Sequence, residues 1–137
     1  MEHAARVTSS VIFVSQLGRS VDFYRDVFAC QVSIHDHDAA LLLAPGGFQI
    51  YLIGRGTRTP HHSGGIGPQC LIWAVESAAD LRDLEQAFKD HGGRTDTHTS
   101  GGVSFVAARD PDGIRILVAH PSPDAFPRSV VGAHLYT

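Results

Sequence analysis

Residues 11–28 read VIFVSQLGRSVDFYRDVF, and this stretch decides the fold. Its first four residues, Val11–Val14, form an apolar and largely β-branched run of the kind that strands prefer. Behind them, Val21, Tyr24 and Phe28 recur at the i, i+3 and i+7 positions of one helix face. The stretch therefore predicts a strand that is followed directly by an amphipathic helix.

Three further strand-like runs follow this helix. They are Val32–His35, Ala39–Leu43 and Phe48–Ile53, and Pro45-Gly46-Gly47 supplies turn residues between the last two. Together with the first strand and the helix, they predict a βαβββ order for the first half of the chain.

The same order of patterns recurs after a glycine-rich segment, residues 54–69. Leu71–Val75 predicts a strand, and Leu81, Leu84 and Phe88 form the apolar stripe of a second helix. Three more strands are predicted beyond that helix, at Arg94–His98, Val103–Ala108 and Ile114–Ala119. Such an internal repeat indicates two tandem βαβββ modules.

The second helix carries its own start and stop signals. Ser77 stands three residues before Asp80, which is the arrangement of a capping box. Glu85 and Lys89 are spaced as a favourable i,i+4 pair, and Gly92-Gly93 is a typical helix end.

Composition excludes several classes of protein. The 137 residues are 43% hydrophobic and 18% charged, which is typical of a folded domain. With 11 basic and 14 acidic residues the net charge is -3, so there is no basic footprint for nucleic acid. No apolar run is long enough to span a membrane, and Met1–Val7 is too polar for a signal peptide. We therefore expect a cytoplasmic protein with neither a nucleic-acid nor a membrane partner.

Two motifs in matching places of the two halves resemble a known family. Arg19-Ser-Val-Asp-Phe-Tyr24 opens the first helix, and Asp110-Pro-Asp-Gly-Ile-Arg-Ile116 precedes the last strand. This arrangement resembles the glyoxalase/bleomycin resistance/dioxygenase superfamily, also called the vicinal oxygen chelate superfamily. The resemblance implies an α+β fold in which two βαβββ modules form curled half-barrel sheets, usually in a homodimer. On this basis residues 1–137 are one domain, with modules at 9–54 and 70–119, a linker at 55–69 and a C-terminal tail at 120–137.

Metal-dependent members of that family hold a divalent ion with His, Gln or Glu side chains on the first and last strands of each half. The resemblance places these four positions on Ser9, Tyr51, Cys70 and Leu117. None is a histidine or a carboxylate, and a shift of one residue along any strand gives no better set. We therefore expect no metal at the family's usual site, and no cofactor.

Strand alternation extends the same faces to their neighbours. The predicted inner walls are mostly apolar, with an aromatic pair and a few polar side chains, which is typical of a site for a small organic molecule. The residues predicted to bind a ligand are Ser9, Phe13, Gln49, Tyr51, Cys70, Ile72, Arg115 and Leu117. In this interpretation Phe13 and Tyr51 stack on a planar ring, and Arg115 pairs with a carboxylate or stacks as a cation. The structural alternative is that these side chains only fill the interior.

Nine histidines keep a second interpretation open. A relocated metal site built from His35, His98 or His120 would make the chain a lyase, isomerase or dioxygenase of the same superfamily. We favour a different role for His35-Asp-His-Asp38, as a polar turn between two strands. No catalytic residue is assigned, and the leading hypothesis is metal-independent binding of an aromatic metabolite or antibiotic.

The linker and the C-terminal tail are the remaining segments of the chain. The linker, which includes His61-His62, is either a flexible connection or a lid over a site. The tail carries an apolar cluster, and we expect it to cross the interface of a homodimer; its members are Val130, Val131, Leu135 and Tyr136.

Cys30 and Cys70 match neither a zinc-site spacing nor a disulfide framework, although one disulfide between them is compatible with the sequence.

Overall fold

The computed structural model describes residues 5–56 and 67–126. The interpretations of His61-His62 and of the apolar cluster at 130–136 lie outside the described residues. The chain divides into two compact units, unit 1 at Met1–Thr59 and unit 2 at Pro60–Thr137. No helix in the described ranges is both long and apolar enough to cross a membrane.

Unit 1 is an open, mixed four-stranded sheet with one helix on it. The sheet order is β1-β4-β3-β2, in which β1 and β4 run parallel and the other neighbours run antiparallel. The elements are β1 (Ser9–Val14), α1 (Leu17–Phe28), β2 (Gln31–His35), β3 (Ala39–Leu43) and β4 (Gln49–Gly54). The predicted βαβββ order of the first half is therefore confirmed.

Helix α1 covers one face of this sheet with its apolar side. Its buried residues include an aromatic cluster, in which the rings of Phe23 and Tyr24 meet edge to face with centroids 5.1 Å apart, and Tyr24 stacks on Phe28 at 6.0 Å. The sheet residues on the covered face, such as Ile50 and Leu52, are fully buried. The apolar helix stripe predicted from the sequence therefore forms the helix side of the core of unit 1.

Unit 2 repeats the topology. Its sheet order is β5-β8-β7-β6, again with one parallel pair, β5 and β8. The elements are β5 (Leu71–Ala74), α2 (Ala78–Asp90), β6 (Asp96–Ser100), β7 (Val103–Arg109) and β8 (Arg115–His120), followed by a short 3-10 turn at Pro123–Ala125. The internal repeat is confirmed as two modules of the same α+β architecture.

The signals around α2 are partly confirmed. The Ser77 hydroxyl accepts a hydrogen bond from the Asp80 N–H at 3.0 Å, as the capping pattern predicts. The predicted Glu85–Lys89 pair is wrong, because the Glu85 carboxylate instead accepts a hydrogen bond from the Thr95 hydroxyl at 3.2 Å. This bond holds the chain against the helix, and strand β6 begins only at Asp96, two residues later than predicted.

Candidate functional site

The first candidate surface is the face of the unit 1 sheet that α1 leaves open. We call it the open face. The register pairs Ser9 with Gln49, Val11 with Tyr51, and Phe13 with Ile53. Because partners in a ladder point to the same side, these residues share one face, as the alternation predicted. Leu41 continues it, since it lies opposite Tyr51 on β3.

The open face is apolar and accessible. The side chains of Val11 and Phe13 are 65% and 52% exposed, whereas Ile50 and Leu52 on the opposite face have no exposed surface. Tyr51 is half-buried between these extremes. Contiguous apolar surface of this kind marks a place where a ligand or a partner is received.

A few polar groups lie within the open face. The Tyr51 hydroxyl donates a hydrogen bond to the Gln49 side-chain oxygen at 3.2 Å. The guanidinium of Arg55 lies over the ring of Phe13, 4.7 Å from its centroid. Phe13 therefore has one side of its ring engaged by a cation, which is a favourable contact for an aromatic face. Apolar walls with a small number of positioned polar groups are the usual composition of a small-molecule site.

The corresponding face of unit 2 differs in its accessibility. Leu117 and Ala119, on the predicted inner face of β8, are buried, as is Phe105, the cross-strand partner of Ala119 on β7. Phe105, Ala119 and Val103 form a buried apolar cluster. Of the predicted ligand residues in this unit, Ile72 is 41% exposed, and Cys70 and Arg115 are half-buried.

An open cleft of about 670 Å³ lies at one end of the unit 2 sheet. Arg115 lines it together with Arg109, its cross-strand partner on β7. The other lining residues are Gly93, Arg94, Thr95, Asp96, Ala107, Ala108 and Asp110. Sequence reasoning singled out Arg115 but missed Arg94, Asp96 and Arg109. The Asp110-Pro-Asp-Gly113 turn was the available signal, because a tight hairpin places the residues flanking its loop opposite each other.

Both cysteines are free thiols, so the compatible disulfide is not formed. Burial raises the pKa of Cys30 to about 11. Burial also raises the pKa of Cys70, and the positive charge of Arg115 works in the opposite direction. A thiol whose pKa is raised is mostly protonated near neutral pH, which is the wrong state for a nucleophile or a metal ligand.

The donor set does not fit the divalent ion that the family resemblance implies. The positions that correspond to the ligands hold a hydroxyl, a phenol, a thiol with a raised pKa and an aliphatic side chain. Across residues 5–56 and 67–126, no three His, Cys, Asp or Glu side chains are grouped so that they could hold a metal ion.

The histidines singled out from the sequence occupy other surroundings. His35 ends β2, and His37 lies in the turn before β3, 98% exposed and 3.7 Å from the Asp38 carboxylate. A ring nitrogen of His120 lies 3.1 Å from the Val75 carbonyl oxygen and links the ends of β8 and β5. His98 is exposed on β6, opposite Phe105. The turn predicted at 35–38 is therefore confirmed at 36–38.

This architecture is similar to that of several solved structures. Three similar solved structures are a glyoxylase/bleomycin resistance protein/dioxygenase domain from Frankia sp. EAN1pec, a lactoylglutathione lyase from Agrobacterium tumefaciens, and the oxidase ChaP-H2. The Frankia domain has a TM-score of 0.76 at 22% identity, covering 85% of this chain and 98% of that one. The lyase has a TM-score of 0.67 at 18% identity, covering 86% and 95%. The oxidase has a TM-score of 0.68 at 15% identity, covering 88% and 96%.

At these identities the three structures show the fold alone. No curated protein matches the chain. The sequence model of one family does match, over residues 2–118, which is most of the chain. By this match, and with two βαβββ modules in tandem, the chain belongs to the Glyoxalase/Bleomycin resistance protein/Dioxygenase superfamily.

Proposed function

We propose that this protein binds a small aromatic molecule on the open face of unit 1, without a resident metal ion. The observation that carries the proposal is the exposure of Phe13 and Val11 on the edge strand β1, beside the polar pair of Tyr51 and Gln49 on the adjacent strand β4. An aromatic metabolite or an antibiotic with a planar ring has the matching chemistry. Sequestration of that molecule is then the whole activity.

The physical basis is the removal of apolar surface from water. Each square ångström of apolar surface that a ligand covers contributes about 25 cal/mol. A planar ring placed against Phe13 and Tyr51 adds aromatic contacts of about 0.5–1.5 kcal/mol beyond that area. The Tyr51 hydroxyl and the Gln49 amide then fix the orientation of a polar substituent.

The remaining predicted residues have secondary roles in this proposal. Ser9 lies at the start of the open face, opposite Gln49, and its hydroxyl is 3.0 Å from that of Thr8. Cys70 and Ile72 belong to unit 2 and lie outside the open face, and the raised pKa of the Cys70 thiol argues against a role for it as a nucleophile. Leu117 is buried and supports the sheet.

We also propose that the chain acts as a homodimer. A single sheet face covers only one side of a planar ligand, and small-molecule sites normally bury most of the ligand surface. In this proposal a second copy of the chain covers the other side of the ligand. Sedimentation equilibrium with and without ligand measures this directly, and a monomer at all concentrations would remove the dimer from the proposal.

Isothermal titration calorimetry with a panel of planar antibiotics and aromatic acids tests the binding function. We expect saturable binding of at least one of them, and we expect Phe13→Ala to weaken it by about tenfold, which corresponds to about 1.4 kcal/mol. Phe126→Ala is the matched control, because Phe126 is also exposed but lies in unit 2. Absence of saturable binding across the panel, or equal loss in both variants, would contradict the proposal.

The same protein preparation tests the alternative hypothesis, in which histidines form a relocated metal site. Elemental analysis of protein purified without a histidine tag should give less than stoichiometric Ni, Fe, Mn or Zn. A full equivalent of one of these metals would instead favour a lyase, isomerase or dioxygenase with relocated ligands.

A further inference from the structure

The cleft at the end of the unit 2 sheet concentrates positive charge. Three of its lining residues are arginines: Arg109 and Arg115 on adjacent antiparallel strands, and Arg94 on the segment that precedes β6. Arg109 and Arg115 are direct cross-strand partners, so their side chains leave the sheet on the same face. Their Cβ atoms are then about 4.5–5.5 Å apart, a spacing at which like charges destabilise a sheet.

None of the described side chains forms an ion pair with Arg109 or Arg115. One guanidinium nitrogen of Arg109 donates to the Gly113 carbonyl at 2.8 Å, which positions the group without neutralising it. Within the described part of the chain, the side chains of Arg94 and Arg115 form neither an ion pair nor a hydrogen bond. Each guanidinium carries five N–H donors in a planar fork, so most of the donors in the cleft remain available.

Two aspartates also line the cleft, and they differ in their engagement. The Asp110 carboxylate is buried and accepts backbone N–H bonds from Asp112 and Ile114, both at 2.9 Å. It serves the Asp110-Pro-Asp-Gly113 turn. Asp96 is exposed and lies on β6 opposite Ala107. Three guanidiniums thus share the cleft with two carboxylates, of which only that of Asp96 is exposed, and the charge of the lining residues remains positive.

We propose that this cleft binds an oxyanion, the carboxylate or phosphate group of a small organic molecule, between the guanidiniums of Arg109 and Arg115. The planar forks match the geometry of such groups, and charge-assisted hydrogen bonds to them are the strong ones. An anion between the two arginines also removes their mutual repulsion. This inference concerns unit 2 and does not depend on binding at the open face.

Titration of uniformly 15N-labelled wild-type protein with inorganic phosphate tests the proposal, with sodium chloride as the ionic-strength control. Acetate in a parallel titration distinguishes a carboxylate from a phosphate source. We expect saturating shifts of the backbone amides that line the cleft, in the millimolar range, with no comparable shifts in sodium chloride. The amides to follow are those of Gly93, Arg94, Thr95, Asp96, Ala107, Ala108 and Arg109.

Substitutions test both the direction of the change in phosphate affinity and the location of the site. Arg115→Gln and Arg109→Gln should each raise the dissociation constant about tenfold or more, because each removes a charged donor. Asp96→Asn should lower it several-fold, because it removes the opposing charge. Arg82→Gln, on the exposed side of α2 and outside the cleft, should leave the constant within about twofold.

Several outcomes would overturn the site. They are amide shifts that do not saturate, shifts that sodium chloride reproduces, and equal weakening by Arg82→Gln and Arg115→Gln. If Arg115→Gln loses its folded spectrum, Arg115→Lys keeps the charge and loses the fork, and it should still weaken phosphate binding. Phosphate has no apolar part, so failure here leaves binding at the open face standing, and the reverse holds for a neutral aromatic ligand.

Discussion

The two units share one topology and present different faces. In unit 1, burial alternates along β4, because α1 covers one face and the other is open. In unit 2, the four consecutive residues Ile116–Ala119 of β8 are all buried, so both faces of that strand are covered. Phe13 in unit 1 is 52% exposed, whereas Phe105 in unit 2 is 1% exposed.

This difference shows that two modules of the same topology can present surfaces of different chemistry. Unit 1 keeps an accessible apolar face. The guanidinium of Arg55, which lies over the ring of Phe13, places a positive charge beside that face. Unit 2 fills the middle of its sheet with apolar side chains and leaves only its end open, where the arginines gather. If the two faces differ energetically as they differ in exposure, matched substitutions in the two units should have unequal effects.

The largest expected effect separates the two phenylalanines. Phe105→Ala should reduce the free energy of unfolding by about 3–5 kcal/mol, because it opens a cavity in a buried cluster. Phe13→Ala should change it by less than about 1 kcal/mol, because that ring is half in water already. Urea denaturation followed by circular dichroism measures both. Similar losses in the two variants would mean that the open face is covered in solution.

The second effect depends on pH and belongs to Cys30 in unit 1. Because burial raises its pKa from 9.0 to about 11, the unfolded chain releases this proton first, and stability should fall as pH rises from 9 to 11. After allowance for solvent screening, we expect a loss of about 1–2 kcal/mol over that window. The comparison is with Cys30→Ala, whose stability curve should be flatter between pH 9 and 11. Parallel curves for the two proteins would refute the assignment.

The third effect compares the helix starts of the two units. Ser77 caps α2 through its side chain, whereas Gln16, at the same position before α1, makes no capping hydrogen bond. Ser77→Ala should therefore cost about 1 kcal/mol, and Gln16→Ala only a few tenths. Thermal unfolding of the two variants side by side gives the difference. An equal cost would show that the two helices start in the same way in solution.

The smallest expected effect is that of Tyr51→Phe on the open face. The hydroxyl bonds to Gln49 in a half-exposed position, where water replaces the lost partner, so stability should change by about 0.5 kcal/mol or less. Binding of an aromatic ligand with a polar substituent should weaken more than binding of the same ring without it. Titration calorimetry with such a matched pair measures the contrast, and an identical change for both ligands would remove Tyr51 from the orienting role.

Much of this architecture was predictable because it depends on local patterns. The apolar stripe of α1, the cap at Ser77 and the turn residues at 45–47 each act within a few positions of the chain. Strand alternation also placed Ser9, Phe13 and Tyr51 on one face correctly. The late start of β6 was not predictable from alternation, because it depends on the long-range bond between Thr95 and Glu85.

The difference between the two faces was not predictable either. The predicted inner walls of both halves are similarly apolar, and burial depends on what packs against each sheet. The arginine cleft was missed for a related reason. Arg109 and Arg115 are six positions apart in sequence, and only the hairpin register places them opposite each other. Arg94 joins them through the loop after α2, where Gly92-Gly93 predicts the end of the helix but not the position of the residue that follows.

One measurement tests most directly whether the open face receives an aromatic molecule. It is a titration of methyl-labelled protein with 2-naphthol, a neutral planar probe without a carboxylate or phosphate, followed by NMR. We predict saturating shifts of the methyl groups of Val11, Leu41 and Ile53, with the methyls of the buried Val103 unmoved and the response lost in Phe13→Ala. Shifts that are confined to unit 2, or that grow linearly without saturation, would contradict the account.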